Sequence, residues 1–323
     1  MVVKQHRGYD IIGDVHGCAT SLETLLQKLG YVKKQGIYQH PERLAVFVGD
    51  IVDRGPAIRE ACHLVRDMVV NGFAQMVMGN HEYNAIGYTT QDTAKAGSQF
   101  LRVHTERHTK LIQETLDQFA HHTAELEEFV QWFLTLPLFL EFEQFRVVHA
   151  CWDHRLITQL KEQFPTAQVD LDFMRQCSQH GSFAQQCVER LLRGTDMVLP
   201  DNESISGADG FTRRFFRTKF WVESPTSYHD IVFQPDALPA HIAERNLSQL
   251  DKQRLVYYSQ VEPALFIGHY WLQGPPQLLT ANIACLDYSA VKDGKLVAYR
   301  WNRGDLQLKA KNFVWVDVNQ ELA

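Results

Sequence analysis

The stretch Val46 to Gly55, V-F-V-G-D-I-V-D-R-G, constrains this chain more than any other. A short apolar run, Leu44 to Val48, ends at a glycine, and two aspartates and an arginine follow within five positions. That is the pattern of a β-strand delivering charge at its tip. Gly49 turns the backbone with no Cβ to clash, so Asp50, Asp53 and Arg54 can converge instead of continuing a sheet. Charge gathered in this way needs a counter-charge, which a metal ion or a phosphate supplies.

The same unit recurs. Tyr9 to Ile12 is a β-prone run followed at once by Gly13-Asp14-Val15-His16-Gly17. Leu22, Leu25, Leu26 and Leu29 then recur at helical spacing, Thr20 and Glu23 predict a capping box, and Gly30 is placed to end the helix. After the aspartate loop, Ile58, Ala61, Cys62, Val65 and Val69 form a second helical stripe. Ala74 to Met78 leads into Gly79-Asn80-His81-Glu82 and a third helical start. Consecutive strand-loop-helix units predict an α/β core with ligand-bearing loops at the carboxyl ends of its strands.

Residues 91–136 are polar and rich in glutamine and histidine, and read as a helical insertion. His104 and His108 lie one turn apart there, but H-T-E-R-H carries its glutamate one place late for the H-E-x-x-H zinc motif, so a solvated helix face is expected. Leu138 to Phe142 and Arg146 to His149 resume the strands. Residues from about 152 to 261 read as a long, mainly helical cap punctuated by prolines, with a basic, aromatic stretch at Thr212 to Trp221. Ala264 to Ile267 is a buried-type strand ending in Gly268-His269, and β-rich runs at 282–287, 295–301 and 313–318 predict a largely antiparallel close. The fold expected is α/β (α+β), with two packed mixed β-sheets, flanking helices and helical cap insertions in one catalytic domain spanning residues 1–323.

Bulk composition fits that reading. The 323 residues are 45% hydrophobic and 22% charged, with a formal charge of −6, which offers no electrostatic footprint for non-specific nucleic-acid or membrane binding. No apolar signal-peptide core precedes the first strand, and the six cysteines are scattered without a C-x-x-C pair, so a cytoplasmic protein with reduced thiols is expected.

Collected, the strand tips carry Asp14, His16, Asp50, Asn80, His81, His149 and His269. Mixed imidazole, carboxylate and amide donors without thiolate suit two divalent ions, manganese best, with iron or zinc as alternatives. A metal pair lowers the pKa of a shared water and clamps the oxygens of an in-line phosphoryl displacement. Arg54 offers bidentate neutralisation of phosphate oxygens, and His81, oriented by Asp53, offers a proton to the leaving group.

The motifs G-D-V-H-G, G-D-I-V-D-R-G, G-N-H-E, V-V-H-A and F-I-G-H resemble, in order, those of the calcineurin-like metallophosphoesterases, in their phosphoprotein-phosphatase branch. The opening Y-D-I-I-G-D-V-H-G-C is similar to bacterial diadenosine-tetraphosphatase-like enzymes and to the phosphatase module of polynucleotide kinase-phosphatases. The resemblance implies that Asp14, His16 and Asp50 hold one metal and Asp50, Asn80, His149 and His269 the other, with His81, Asp53 and Arg54 catalytic. It also implies a second phosphate-binding arginine between the fourth and fifth motifs, for which Arg213, Arg214 and Arg217 are candidates beside Arg54. The chain departs from the pattern at His149-Ala150-Cys151, where H-G-G is usual, and at Gly268-His269-Tyr270-Trp271, where G-H-x-H is common. Trp271 cannot replace a second histidine, which implies that water completes the shell of the first metal.

The activity expected is a metallophosphatase hydrolysing phosphomonoesters of proteins or small molecules by attack of a metal-bridging hydroxide. A dinucleoside polyphosphate hydrolase is the alternative, with a phosphodiesterase or nucleic-acid end-processing phosphatase behind it and a non-catalytic binding module as the remote one. The physiological substrate, the native metals and the oligomeric state stay open at this stage.

Overall fold

The computed structural model describes residues 6–93, 99–206, 212–234 and 238–318. Both chain ends and residues 94–98, 207–211 and 235–237, parts of the two predicted insertions, lie outside the described residues. In chain order the first half comprises β1 (Gly8–Ile12), α1 (Ala19–Lys28), β2 (Val32–Lys34), β3 (Ile37–Gln39), β4 (Arg43–Phe47), α2 (Ile58–Val70), β5 (Ala74–Met76), α3 (Asn80–Thr89), α4 (Glu106–Gln118), α5 (Thr123–Phe133), β6 (Phe139–Glu141) and β7 (Phe145–Val148). There follow α6 (His154–Gln163), α7 (Leu171–Gln176), α8 (Phe183–Arg193), β8 (Thr195–Val198), β9 (Ile205–Ser206), β10 (Thr212–Arg213), β11 (Phe215–Thr218), α9 (Tyr228–Ile231), β12 (Val232–Gln234), α10 (Ala240–Ala243) and α11 (Gln249–Arg254). The chain closes with β13 (Ala264–Ile267), β14 (Ile283–Cys285), β15 (Asp287–Tyr288), β16 (Lys295–Asn302) and β17 (Phe313–Asp317).

Two mixed sheets form the core. One has the order β15-β16-β1-β4-β5 with β17 on β16; β1, β4 and β5 run parallel, and β16 is antiparallel to β1. The other is β14-β13-β7-β6, in which β13 runs parallel to both β7 and β14. The period-2 alternation of β4 explains how they pack. Val46 and Val48 enter the inter-sheet cluster with Phe145, Val147, Phe266 and Tyr299, while Ala45 and Phe47 face Leu22, Leu25, Ile58 and Val65 of α1 and α2. Phe266 and Tyr299 are fully buried, each worth about 1.5–3 kcal/mol of burial.

Local signals were met unevenly. Gly30 takes a positive φ of 90° just past Leu29, the C-cap of α1, as expected. The capping box does not form: α1 begins after Cys18 with no side-chain cap, and Thr20 lies inside the helix, its carbonyl accepting from Thr24 Oγ1. The run 282–287 divides between the sheets, β14 pairing with β13 and β15 with β16, so the C-terminal strands are not one antiparallel sheet.

The region from 152 to 261 is less helical than its composition suggested. After α6, α7 and α8 it builds a small sheet, β12-β11-β8, over a separate apolar cluster that includes Met197, Phe216, Tyr228, Ile231 and Ile242. The buried–exposed alternation of β8 is the β signal. Phe216, Phe220 and Trp221 are buried, so the aromatics of 212–221 are mainly core rather than an exposed stacking surface.

Candidate active site

Every predicted site loop leaves the carboxyl end of a sheet strand, and the loops are stitched together by their own backbones. Val15 and His16 N–H both donate to Asp50 O, and Gly268 N–H donates to His149 O. Crowding makes glycine obligatory at two points. A Cβ on Gly49, whose φ is +102°, would lie 2.6 Å from Gly79 N, and one on Gly55 would lie 1.9 Å from His16 O. His16, Asp50, Asp53, Arg54, His269 and Trp271 themselves sit at positive φ, a costly conformation for residues with side chains that clusters at functional sites.

Asp50 is the hub. Its Oδ2 lies 3.2 Å from His149 Nε2, 3.7 Å from His16 Nε2 and 3.8 Å from His81 Nε2, and its Oδ1 accepts the His81 backbone N–H at 2.9 Å. His16 Nδ1 donates to Val52 O and His149 Nδ1 to Val48 O, each at 2.8 Å, which fixes the tautomers and turns both Nε2 lone pairs inward. Asn80 Oδ1 stands 3.1 Å from His149 Nε2, so acceptor faces acceptor whenever that nitrogen carries no proton. Turning the amide over would relieve this with hydrogen bonds; coordination of a cation relieves it as well. Asp14 Oδ1 and His269 Nε2 are buried without any partner, although Asp14 Oδ2 accepts the His269 N–H at 3.1 Å. Two sets of donor atoms lie within 4.8 Å of one another, His16-Asp50-His81 and Asp50-His149-His269. Lone pairs and carboxylates buried at this density fit divalent cations.

The electrostatics carry the same imprint. Burial pushes the Asp14 carboxyl well above its usual value, and Asp287 adds to the rise. Burial would also raise Asp50, but His149 and His81 outweigh it and hold that carboxyl low. For His149 burial opposes the charge, yet Asp50 raises it to about 10. His16 and His269 are driven down by burial and, next, by Arg54 and Arg217 respectively.

Beside this cage stands the expected acid pair: His81 Nδ1 lies 2.5 Å from Asp53 Oδ2. Arg54 caps two imidazoles, with Nη1 3.1 Å from His16 Nε2 and Nη2 2.9 Å from His81 Nε2, and its guanidinium lies 4.5 Å from the centroid of Trp271. The residue at the missing-histidine position is thus a platform for Arg54. Among the cap arginines, Arg217 reaches the site, its Nη1 lying 3.4 Å from His269 O. Arg213 lies on β10 opposite Ile205, and Arg214 is exposed. A cavity of about 330 Å³ opens at Arg54, walled by Gly55, Pro56, Glu114, Gln118 and Val291 among others.

Sequence reasoning missed three supporting residues. Glu82, fully buried, accepts from Asp50 N, Ile51 N and Gly79 N at 2.8, 2.8 and 2.9 Å, tying two site loops together. Asp287 accepts from Trp271 N and Ser289 N at 3.0 Å. Thr115 of α4 bonds to Asp53 through its hydroxyl. Glu82 and Asp287 were legible as acids within otherwise apolar or motif runs; Thr115 carried no signal. Among the described residues no metal-competent cluster includes a histidine of the first insertion; His104 stacks between Tyr88 and Phe100, and His108 Nδ1 bonds to Val103 O. All six cysteines are buried and free, and burial raises Cys18 to about 11.

The family model described as calcineurin-like phosphoesterase matches residues 9–194. Among curated relatives, bis(5'-nucleosyl)-tetraphosphatase PrpE (asymmetrical) of Oceanobacillus iheyensis is 39% identical over 142 residues, 44% of this chain and 54% of that protein. Its counterpart from Bacillus subtilis is 34% identical over 132 residues, 41% of this chain and 51% of that protein. The chain spans about half the length of these relatives. A cold-active protein-tyrosine phosphatase from a psychrophilic Shewanella shares the fold, with a TM-score of 0.50 at 16% identity over 91% of this chain and 75% of that one. With more than half its length matched and two His/Asp clusters of the kind that a dinuclear divalent centre requires, the chain belongs to the calcineurin-like phosphoesterase family.

Proposed function

We propose that this chain is a dinuclear-metal-dependent phosphatase acting on phosphomonoesters of proteins or small molecules. The observation that carries the reading is the junction of two donor sets through Asp50, with the Asp53–His81 pair and Arg54 at its rim. In this reading Asp14, His16 and Asp50 hold one metal, and Asp50, Asn80, His149 and His269 hold the other. Manganese suits these donors best, with iron or zinc as alternatives. When bound, the metal pair supplies Lewis acidity and a nucleophile derived from water. In this reading His81 stays outside the ligand set because Asp53 Oδ2 holds its Nδ1 and turns Nε2 to the rim beside Arg54, where it serves the leaving group. Arg54 grips the phosphate by giving up its contacts to His16 and His81, and Arg217 is the second phosphate-binding arginine. The catalytic domain takes in the whole chain, with the cap supplying Arg217.

The purified protein with added manganese should hydrolyse an aryl phosphate, and Asp50→Asn should lower kcat at least about 100-fold with loss of bound metal. Unchanged turnover in that variant would overturn the proposal. A second reading, hydrolysis of a dinucleoside polyphosphate, is favoured by the names of the relatives and by the cavity at Arg54, which could seat part of a leaving group. Comparing kcat/KM for diadenosine tetraphosphate and a phosphopeptide decides between them. Asp53, Arg54 and His81 in mutual contact are hard to reconcile with a non-catalytic binding module. Among the described residues no helix is long and apolar enough to cross a membrane, and with free, buried thiols we assign the protein to the cytoplasm.

A further inference from the structure

We propose that the first insertion exists to hold the acid pair in register, with Thr115 of α4 as the positioning residue for Asp53; the inference rests on the hydrolase reading above. Thr115 is fully buried and lies 62 positions from Asp53 in the chain. Its Oγ1 accepts the Asp53 backbone N–H at 3.1 Å and donates its own hydrogen to Asp53 Oδ1. One hydroxyl thus spends a donor and an acceptor on a single residue.

That pairing matters because of where Asp53 sits. It has a φ of 66° and is followed by Arg54 at 71°, so this loop cannot place its N–H groups in a regular ladder. Thr115 satisfies the Asp53 N–H and fixes one carboxylate oxygen, while the other oxygen meets His81 Nδ1 at 2.5 Å. Held at both oxygens, the carboxylate cannot swivel about its Cβ–Cγ bond. Nearly one turn further along α4, Gln118 accepts from Ile58 N at 2.7 Å and donates to Gly55 O at 2.9 Å. The helix therefore grips the loop at its start and at its end, and Arg54 lies between the grips.

The chemistry affected is proton delivery. As an oxygen from water bonds to phosphorus and the P–O bond to the leaving group breaks, His81 would pass its Nε2 proton to the departing ester oxygen and keep its Nδ1 proton, which is hydrogen-bonded to Asp53 Oδ2. A leaving group that is already a stable anion needs no such proton. An alkoxide does.

The test uses Thr115→Val and Thr115→Ser in the full chain loaded with manganese. Thr115→Val should lower kcat on an alkyl phosphate about 10- to 100-fold with little change in KM, should lower kcat on dinitrophenyl phosphate less than about threefold, and Thr115→Ser should restore wild-type behaviour. In metal-free protein labelled with 15N-histidine, the Nδ1 proton of His81 should resonate far downfield in wild type and Thr115→Ser and be lost in Thr115→Val. An equal fall of kcat on both substrates, or an unchanged proton resonance in Thr115→Val, overturns the inference. If Thr115→Val does not fold, Gln118→Ala, which frees the far end of the same loop, must show a smaller loss of the same leaving-group dependence; a uniform loss or none overturns the inference. Should wild type hydrolyse no phosphate ester at all, the hydrolase reading fails, while the resonance comparison still decides the Thr115–Asp53–His81 geometry.

Discussion

Replacing Glu82 by glutamine tests how the site loops are held. Oε2 of Glu82 accepts from Asp50 N and Gly79 N, and Oε1 from Ile51 N, in a fully buried position. A glutamine amide has one oxygen. At best it keeps the two Oε2 bonds, now to a neutral acceptor, and turns an NH2 group toward the Ile51 N–H. Hydrogen bonds to charged groups contribute about 1.5–3 kcal/mol against about 0.5–1.5 kcal/mol for neutral ones, and an unsatisfied buried donor costs about 1–3 kcal/mol. Two weakened bonds and one orphaned N–H therefore total about 3–5 kcal/mol. Removing a buried charge offsets part of this, since burial and the neighbouring Asp50 both raise the Glu82 carboxyl. A net loss of about 2–4 kcal/mol remains, which at about 2 °C per kcal/mol for a chain of this size lowers the thermal midpoint by about 4–8 °C. The assay is thermal unfolding of metal-free protein followed by circular dichroism. Glu128→Gln serves as control, because Glu128 is exposed, lies 3.6 Å from Arg66 and should shift the midpoint by less than about 1 °C. A Glu82→Gln midpoint within about 1 °C of wild type would refute the argument that these three N–H groups depend on the carboxylate.

Arg54→Ala should leave metal content unchanged while raising KM for the aryl phosphate at least about tenfold, because it removes a phosphate contact and no ligand; equal metal loss in Arg54→Ala and Asp50→Asn would erase that division of labour. Asp10 is buried in β1 between Arg43 at 2.9 Å and Arg300 at 3.0 Å, so Asp10→Ala, which strands two cations, should cost about 3–5 kcal/mol in urea unfolding. Burial opposes ionisation of Glu141, but Lys161 and Arg146 outweigh it and hold the carboxyl below its ordinary value of 4.5. Its stabilisation is therefore present above about pH 4.5 and lost as pH falls through the folded value, and the midpoint gap between wild type and Glu141→Gln should close in acid; a gap independent of pH would contradict this.

The strand tips were legible because their chemistry is local. An apolar run followed by glycine and a ligand-type residue reads the same in sequence and in space, and β1, β4, β5, β7 and β13 all appear within two residues of their expected bounds. The cap was less legible. Its β8 and β11 strands are short, and around β11 the basic residues suggested a surface, whereas Phe216 and Phe220 are buried. Three neighbouring arginines looked equivalent in sequence, and the structure brings Arg217 to His269 O.

Sequence alone determined the candidate donor residues, their order along the chain and the family pattern, since those depend on residue type and spacing within single loops. Tertiary structure decided what no local window contains. It brought Thr115 to Asp53 across 62 positions, seated Trp271 under Arg54, and placed one carboxylate of Glu82 between two loops. The physical reason is that a hydrogen bond or a stacked cation depends on distance in space, and a threonine or tryptophan carries no mark in sequence of the partner that folding will give it.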